Sequence, residues 1–315
     1  MNLSNILKFF IITLLFSVKV MAACNNNIST YTKTVSFGNV IVQRDTAPGT
    51  VVATQAVNAP VNFSCGGAGP YLYQESMRTS LTSYGNNIYE IGVPGFGIRV
   101  SENGTDGTLH HYFPISINGW TNGSGTNQTN LYKFELVKTS AISSSGNLRV
   151  GTIADTAMYN QFYIGYFNVG GGTIQVVQCN INTPNLNFPI GNISASSFGS
   201  TVGTTPSGAQ NTQNLGLNCD AGTNINVSFT GTQNPDVGTT SVLALTGQGN
   251  TDVAKGVGVQ ILYNGSPLVL NNRIVLKQSS GGQETFPLTA RYYQTKTSVT
   301  PGTANASATL NLTYQ

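Results

Sequence analysis

The sequence predicts an all-β protein of two tandem domains, each a sandwich or barrel of short strands, and three observations carry that prediction. Apolar residues recur at every second position instead of at helical spacing, in runs bounded by Gly, Asn and Pro clusters. Four cysteines fall in two pairs of similar separation, 41 residues between Cys24 and Cys65 and 40 between Cys179 and Cys219. The chain of 315 residues also exceeds what one hydrophobic core usually supports.

Residues 1–22 read as a secretory signal peptide. Lys8 precedes the apolar run from Phe9 to Val18, and Val20-Met21-Ala22 supplies small or aliphatic cleavage-type positions. The run falls short of the ~20 residues a membrane span needs. Cleavage after Ala22 leaves a chain beginning Ala23-Cys24 and exported to an oxidising compartment. There, of three possible connectivities, Cys24–Cys65 with Cys179–Cys219 is the one that keeps both loops local. Each loop stabilises its domain by roughly 4 kcal/mol on the chain-entropy model. The cysteine and histidine spacings match no zinc motif.

A first domain is expected over 23–174, from the alternations Val61/Phe63/Cys65, Phe96/Ile98/Val100 and Tyr132/Phe134/Leu136. Gly170-Gly171-Gly172 reads as a flexible break and 175–178 as a linker. A second domain is expected over 179–315. Its strands carry Leu215/Leu217/Cys219, Ile225/Val227/Phe229, Val257/Val259/Ile261/Tyr263 and Phe286/Leu288/Ala290/Tyr292. The last segment alternates throughout. Ala304, Ala306, Ala308, Leu310, Leu312 and Tyr314 form one face, with polar residues between them, and no further strand follows to pair with it.

At these residues the second half resembles the pilin domain of bacterial chaperone-usher fimbriae, and in particular that of the type 1 fimbrial tip adhesin. The resemblance rests on Gly256-Val257-Gly258-Val259-Gln260, Asn264-Gly265, Leu288-Thr289-Ala290-Arg291-Tyr292, the closing alternation with Tyr314 penultimate, and Gly302 fourteenth from the end. It implies tandem immunoglobulin-like or jelly-roll sandwiches, the second lacking its last strand. A donor strand from a periplasmic chaperone, and then from an adjacent fimbrial subunit, fills the gap. Gly302, Leu310, Leu312 and Tyr314 are the expected groove residues, Gly302 because a residue without Cβ lets a donor approach closely. An outer-membrane usher is implied as a further partner. A disulfide-bearing domain occupies the place of a pilin's own donor extension, so the resemblance implies a subunit at the fimbrial tip with an amino-terminal lectin domain.

The mannose-binding pattern of that family is not carried over. Its Asn-Asp pair falls by position at Gly67 and Ala68, Glu75 lies near a further family carboxylate, and Asp155 is the only acidic residue of the later cluster. Ligand-binding candidates are therefore Ala23, Glu75, Asp106, Trp120 and Asp155. Trp120 is the lone tryptophan, in a Gly, Asn and Thr segment that reads as a loop, and a ring can stack on the apolar face of a sugar. A structural tip subunit or a protein-binding adhesin is the competing expectation.

Charged residues are 8% of the chain against a typical ~25%, and the net charge of +3 is scattered, which excludes an electrostatic footprint for nucleic acid. The serines lack a nucleophile elbow, and the carboxylates are dispersed. His110 and His111, adjacent on a strand, should face opposite ways and so not converge on one ligand. No enzyme activity, cofactor or metal is expected.

Overall fold

The computed structural model describes residues 21–315, so the expected signal peptide lies, apart from Met21 and Ala22, outside the described residues. The first unit comprises β1 (Ala23–Asn26), β2 (Tyr31–Gln43), β3 (Val51–Gly66), β4 (Ala68–Met77), β5 (Ser83–Gly85), β6 (Ile88–Glu90), β7 (Phe96–Asn103), β8 (Leu109–Tyr112), β9 (Ile115–Asn122), β10 (Gly125–Lys138), β11 (Gly146–Asn147), β12 (Gly151–Met158) and β13 (Phe162–Val177). The second comprises β14 (Cys179–Ile181), β15 (Gln210–Cys219), β16 (Asn224–Thr230), β17 (Val242–Leu243), β18 (Val257–Tyr263), β19 (Ser266–Pro267), β20 (Arg273–Gln278), β21 (Gly282–Gln294) and β22 (Thr309–Tyr314). Apart from a single 3-10 turn at Ala195–Ser197, the described residues hold no helix.

Each unit is a pair of facing sheets, the second over one buried apolar cluster and the first over a large one and a smaller one around Cys24–Cys65. In the first, a seven-stranded sheet ordered β1-β3-β10-β7-β6-β5, with β8 on β7, faces a six-stranded sheet ordered β11-β13-β12-β4-β9, with β2 parallel to β13. In the second, β14-β15-β21-β18-β17, with β19 on β18, faces the three-stranded β20-β16-β22. Alternation explains the layering, because every second side chain points to the same face. Phe96, Ile98, Val100, Tyr132, Phe134 and Leu136 are fully buried, and Leu215, Leu217, Ile225, Phe286 and Leu288 are buried in the second unit.

Cys24–Cys65 and Cys179–Cys219 are disulfides between residues directly opposite on paired strands, each closing one unit locally. The expected break and linker are corrected. Gly171 and Gly172, at φ +144° and +147°, form bulges inside β13, and Gln175, Val176 and Val177 pair with Ile41, Val42 and Gln43 of β2. Only Gln178 separates the last strand of one unit from the first strand of the next. Here ladder hydrogen bonds to β2 outweigh the glycines' freedom, and glycine meets the positive φ that these two bulges take at no steric cost.

Candidate functional site

The second unit is open along one side. β22 pairs with β16 and with no other strand, so its outer edge is free. Across from that edge runs Pro184–Ile193, which forms no strand and makes no backbone hydrogen bond to any described residue. Between the two strips lies a cleft of about 980 Å³, floored by core residues including Phe229, Val259, Ile261 and Leu288. Leu186, Phe188 and Ile190 on one bank, and Ala306, Leu310 and Leu312 on the other, are only partly covered although they pack on the core. Two unpaired backbone strips flanking an apolar floor have the form of a missing strand, since buried N–H and C=O groups require partners.

The structure sorts the expected groove residues. Leu310 and Leu312 line the cleft, and Gly302 lies at its end. The reason given for Gly302 is corrected: a Cβ there would collide with the backbone of Val253 and Ala254, so the close approach is made by the chain's own β-bridge partner region. Strand pairing begins only at Thr309, although partial burial already alternates at Ala304 and Ala306. Tyr314 is outside the cleft. Its ring is buried under the Arg44 guanidinium, 4.6 Å from the centroid, and its hydroxyl donates to the Cys179 carbonyl at 3.0 Å.

Tyr314 belongs instead to a junction between the units. The Asp45 N–H donates to the Tyr314 carbonyl at 3.1 Å, and the Tyr314 N–H donates to Asp45 Oδ2 at 3.0 Å. Gln43 bridges further, its Nε2 donating to the Gly222 carbonyl and its Oε1 accepting from the Asn224 N–H, both at 2.8 Å. Burial pushes the Asp45 carboxyl up, but the bonds from Arg44 and from the Tyr314 N–H outweigh it and hold the group below its usual value.

The ligand candidates of the first unit do not converge. Ala23 is exposed on β1 opposite Gly66. Asp106 is fully exposed in the β7–β8 turn, where its carboxylate accepts from the Thr108 N–H and hydroxyl. Trp120 is on the edge strand β9, not in a loop, and it is 68% exposed. Asp155, 6% exposed on β12, lies 3.4 Å from Arg78, and burial raises its carboxyl despite that cation. Arg78 in turn covers the ring of Tyr166, which is 5.1 Å from the exposed ring of Tyr163. Of this row the sequence offered only Asp155, because Arg78 is remote along the chain and the pairing of β12 with β13 is what sets Tyr166 beside Asp155.

Glu75 is buried, 0% exposed, and so is unavailable to a sugar. It accepts from the Tyr73 hydroxyl at 3.1 Å and contacts His111 Nε2 at 2.6 Å. Glu102, on the opposite sheet, contacts His110 Nδ1 at 3.2 Å and accepts from the Tyr132 hydroxyl at 3.3 Å. The two histidines therefore do meet one cluster, through two neighbouring carboxylates, although they alternate on β8. Burial, reinforced by Glu102, drives the Glu75 carboxyl well above the usual carboxylate range. Burial alone would raise Glu102 too, but bonds from Glu75 and His110 hold it below its usual value.

Residues 170–315 match the family model described as fimbrial protein, and residues 34–170 match the MrkD-like receptor binding domain. A fimbria adhesin protein of Klebsiella pneumoniae is 27% identical over 307 residues, 93% of this chain and 94% of that protein. Among solved structures, the receptor binding domain of the plasmid-borne adhesin MrkD1P of K. pneumoniae is similar at 23% identity and a TM-score of 0.44. That match covers 51% of this chain and 99% of the other. The CupB6 tip adhesin from Pseudomonas aeruginosa is similar at 16% identity and a TM-score of 0.39, with 93% of each chain covered.

Proposed function

Because the chain belongs to the fimbrial adhesins, a receptor-binding module followed by a fimbrial protein module, we propose that it is a tip adhesin that accepts a donor β-strand in its second unit and binds a host or surface glycan through its first. The cleft beside β22 carries the assembly reading. It offers two unpaired backbone strips and an apolar floor to an extended segment of alternating apolar residues, so that main-chain bonds supply affinity and the floor supplies register. A periplasmic chaperone fills it first and a neighbouring subunit's extension replaces that strand at the outer-membrane usher, on the way to the fimbrial tip. The first unit stands where a pilin's own donor extension would be, which favours the tip position.

The test uses the full chain, coexpressed with a peptide of alternating apolar residues. We expect a stable one-to-one complex, and Leu312→Arg should abolish it. A monomeric wild-type chain that ignores the peptide would overturn the donor-strand reading.

Glycan binding is supported by exposed rings beside polar groups, at Trp120 and at the Tyr163–Tyr166–Arg78–Asp155 row. Trp120→Ala should lose roughly 0.5–1.5 kcal/mol of glycan affinity if the ring stacks on the sugar. The placement of that row on an open sheet face favours a second reading, a protein receptor bound over a broad surface. A glycan screen negative for the strand-complemented chain would select it.

A further inference from the structure

The Glu75–Glu102 cluster sits where the two sheets of the first unit come together beside β8. Glu75 is on β4 of one sheet, Glu102 on β7 of the other, and His111 on β8, directly opposite Glu102 in the ladder. One donor atom from each lies within 4.8 Å of the other two. The arginines of the unit that make ion pairs are engaged elsewhere, Arg44 with Asp45, Arg78 with Asp155, Arg99 with Glu135 and Arg149 with Glu90. Two carboxylates thus face each other in the interior with only histidines, hydroxyls and the Asn130 amide around them, and a bound cation is one way in which proteins hold such a pair.

A second observation points the same way. Asn130, 4% exposed, is aimed at Glu102 but its Nδ2 completes no hydrogen bond of ordinary geometry, while the Thr156 and Tyr31 hydroxyls, also short of well-formed bonds, face each other. Asn130 shares the inward face of β10 with Tyr132, which bonds Glu102, and Thr156 lies directly opposite Glu75. A buried amide donor left without a well-made bond beside two carboxylates leaves a place for a bound polar occupant.

We propose that Glu75, Glu102 and His111 bind a zinc-type divalent cation that joins the two sheets of the first unit. One imidazole and two carboxylates suit zinc, while calcium and magnesium call for six or more oxygens. Bonds of about 2.0–2.2 Å put tetrahedral donors roughly 3.3 Å apart, so the Glu75–His111 contact opens slightly and Glu102 closes in. Tyr73, Tyr132 and His110 already hold the carboxylates from outside, as the outer partners of a metal site do. A water on the fourth position would serve the Asn130 amide. The His111 side chain, 16% exposed, marks the way in.

The full chain, stripped with EDTA and dialysed, should take up one equivalent of Zn²⁺, show visible absorption of a four-coordinate site with Co²⁺, and melt several degrees higher with zinc. Glu102→Gln and His111→Ala should each weaken uptake beyond the roughly 10–100-fold that losing an outer partner costs. Their metal-free melts report whether the variants fold. A wild-type chain that holds no zinc and shows no change in melting overturns the proposal, as does uptake unchanged in folded Glu102→Gln and His111→Ala. Displacement of the bound zinc by equimolar Ca²⁺ would refute the assignment to the zinc class.

Discussion

In the first unit Phe96, Ile98, Phe134 and Phe167 are covered completely by the unit's own sheets, whereas in the second Leu186, Phe188, Leu310 and Leu312 stand half covered beside a cleft. Both units are disulfide-closed sandwiches whose long strands, such as β10 and β21, carry stretches of inward alternation. They differ in whether the chain supplies enough strands. The first has thirteen, and β8 adds further cover at β7; the second has a three-stranded sheet whose outer strand faces unpaired backbone. The lesson is that alternation makes a face apolar without ensuring that anything covers it. A half-covered apolar face beside a free edge is the less stable arrangement in isolation and the better one for receiving another chain.

The largest effect should come from separating the two units. Residues 179–315 expressed alone should aggregate or fail to accumulate, and a peptide of alternating apolar residues should restore a soluble complex on size-exclusion chromatography. A soluble, cooperatively melting monomer without the peptide would erase the contrast between the units.

Next in size is damage to the completed core. Phe167, fully buried, packs against the rings of Tyr31, Phe113, Tyr132 and Phe134. Phe167→Ala should cost the first unit about 3–5 kcal/mol in denaturant melts. Strand uptake by the second unit should be unchanged, and a loss there would show that the units do not fold independently.

Smaller effects belong to the junction. Tyr314→Phe removes the hydroxyl bond to the Cys179 carbonyl and should cost about 0.5–1.5 kcal/mol of the second unit's stability once strand-complemented.

Asp45 makes the same contact sensitive to acid. Its carboxyl titrates lower in the folded chain than unfolded, so its contribution is present above the unfolded value of about 3.9 and is lost as the pH falls through the folded one. Asp45→Asn should flatten that part of the stability profile below about pH 4, and an unchanged profile would remove Asp45 from the acid response.

Much of this was readable from residue order. Period-two runs named the strands and their inward faces, because alternation depends only on the backbone and the side chain's polarity. The similar cysteine spacings anticipated the pairing, and the closing alternation located the edge strand. Three readings failed where a distant strand decided the outcome. Gly171 and Gly172 became bulges because β2 lies alongside; Trp120 became a strand residue because β4 pairs with it; and Tyr314 turned away from the groove toward Arg44.

What the sequence by itself determined is the periodicity, the two-unit layout and the free strand at the end. What only the tertiary structure decided is which polar groups meet. Glu75, Glu102 and His111 come from three strands, and no local pattern relates them. Sheet register and the crossing of two sheets bring them within 4.8 Å of one another, because side chains opposite on a ladder or facing across a sandwich are neighbours whatever their separation along the chain.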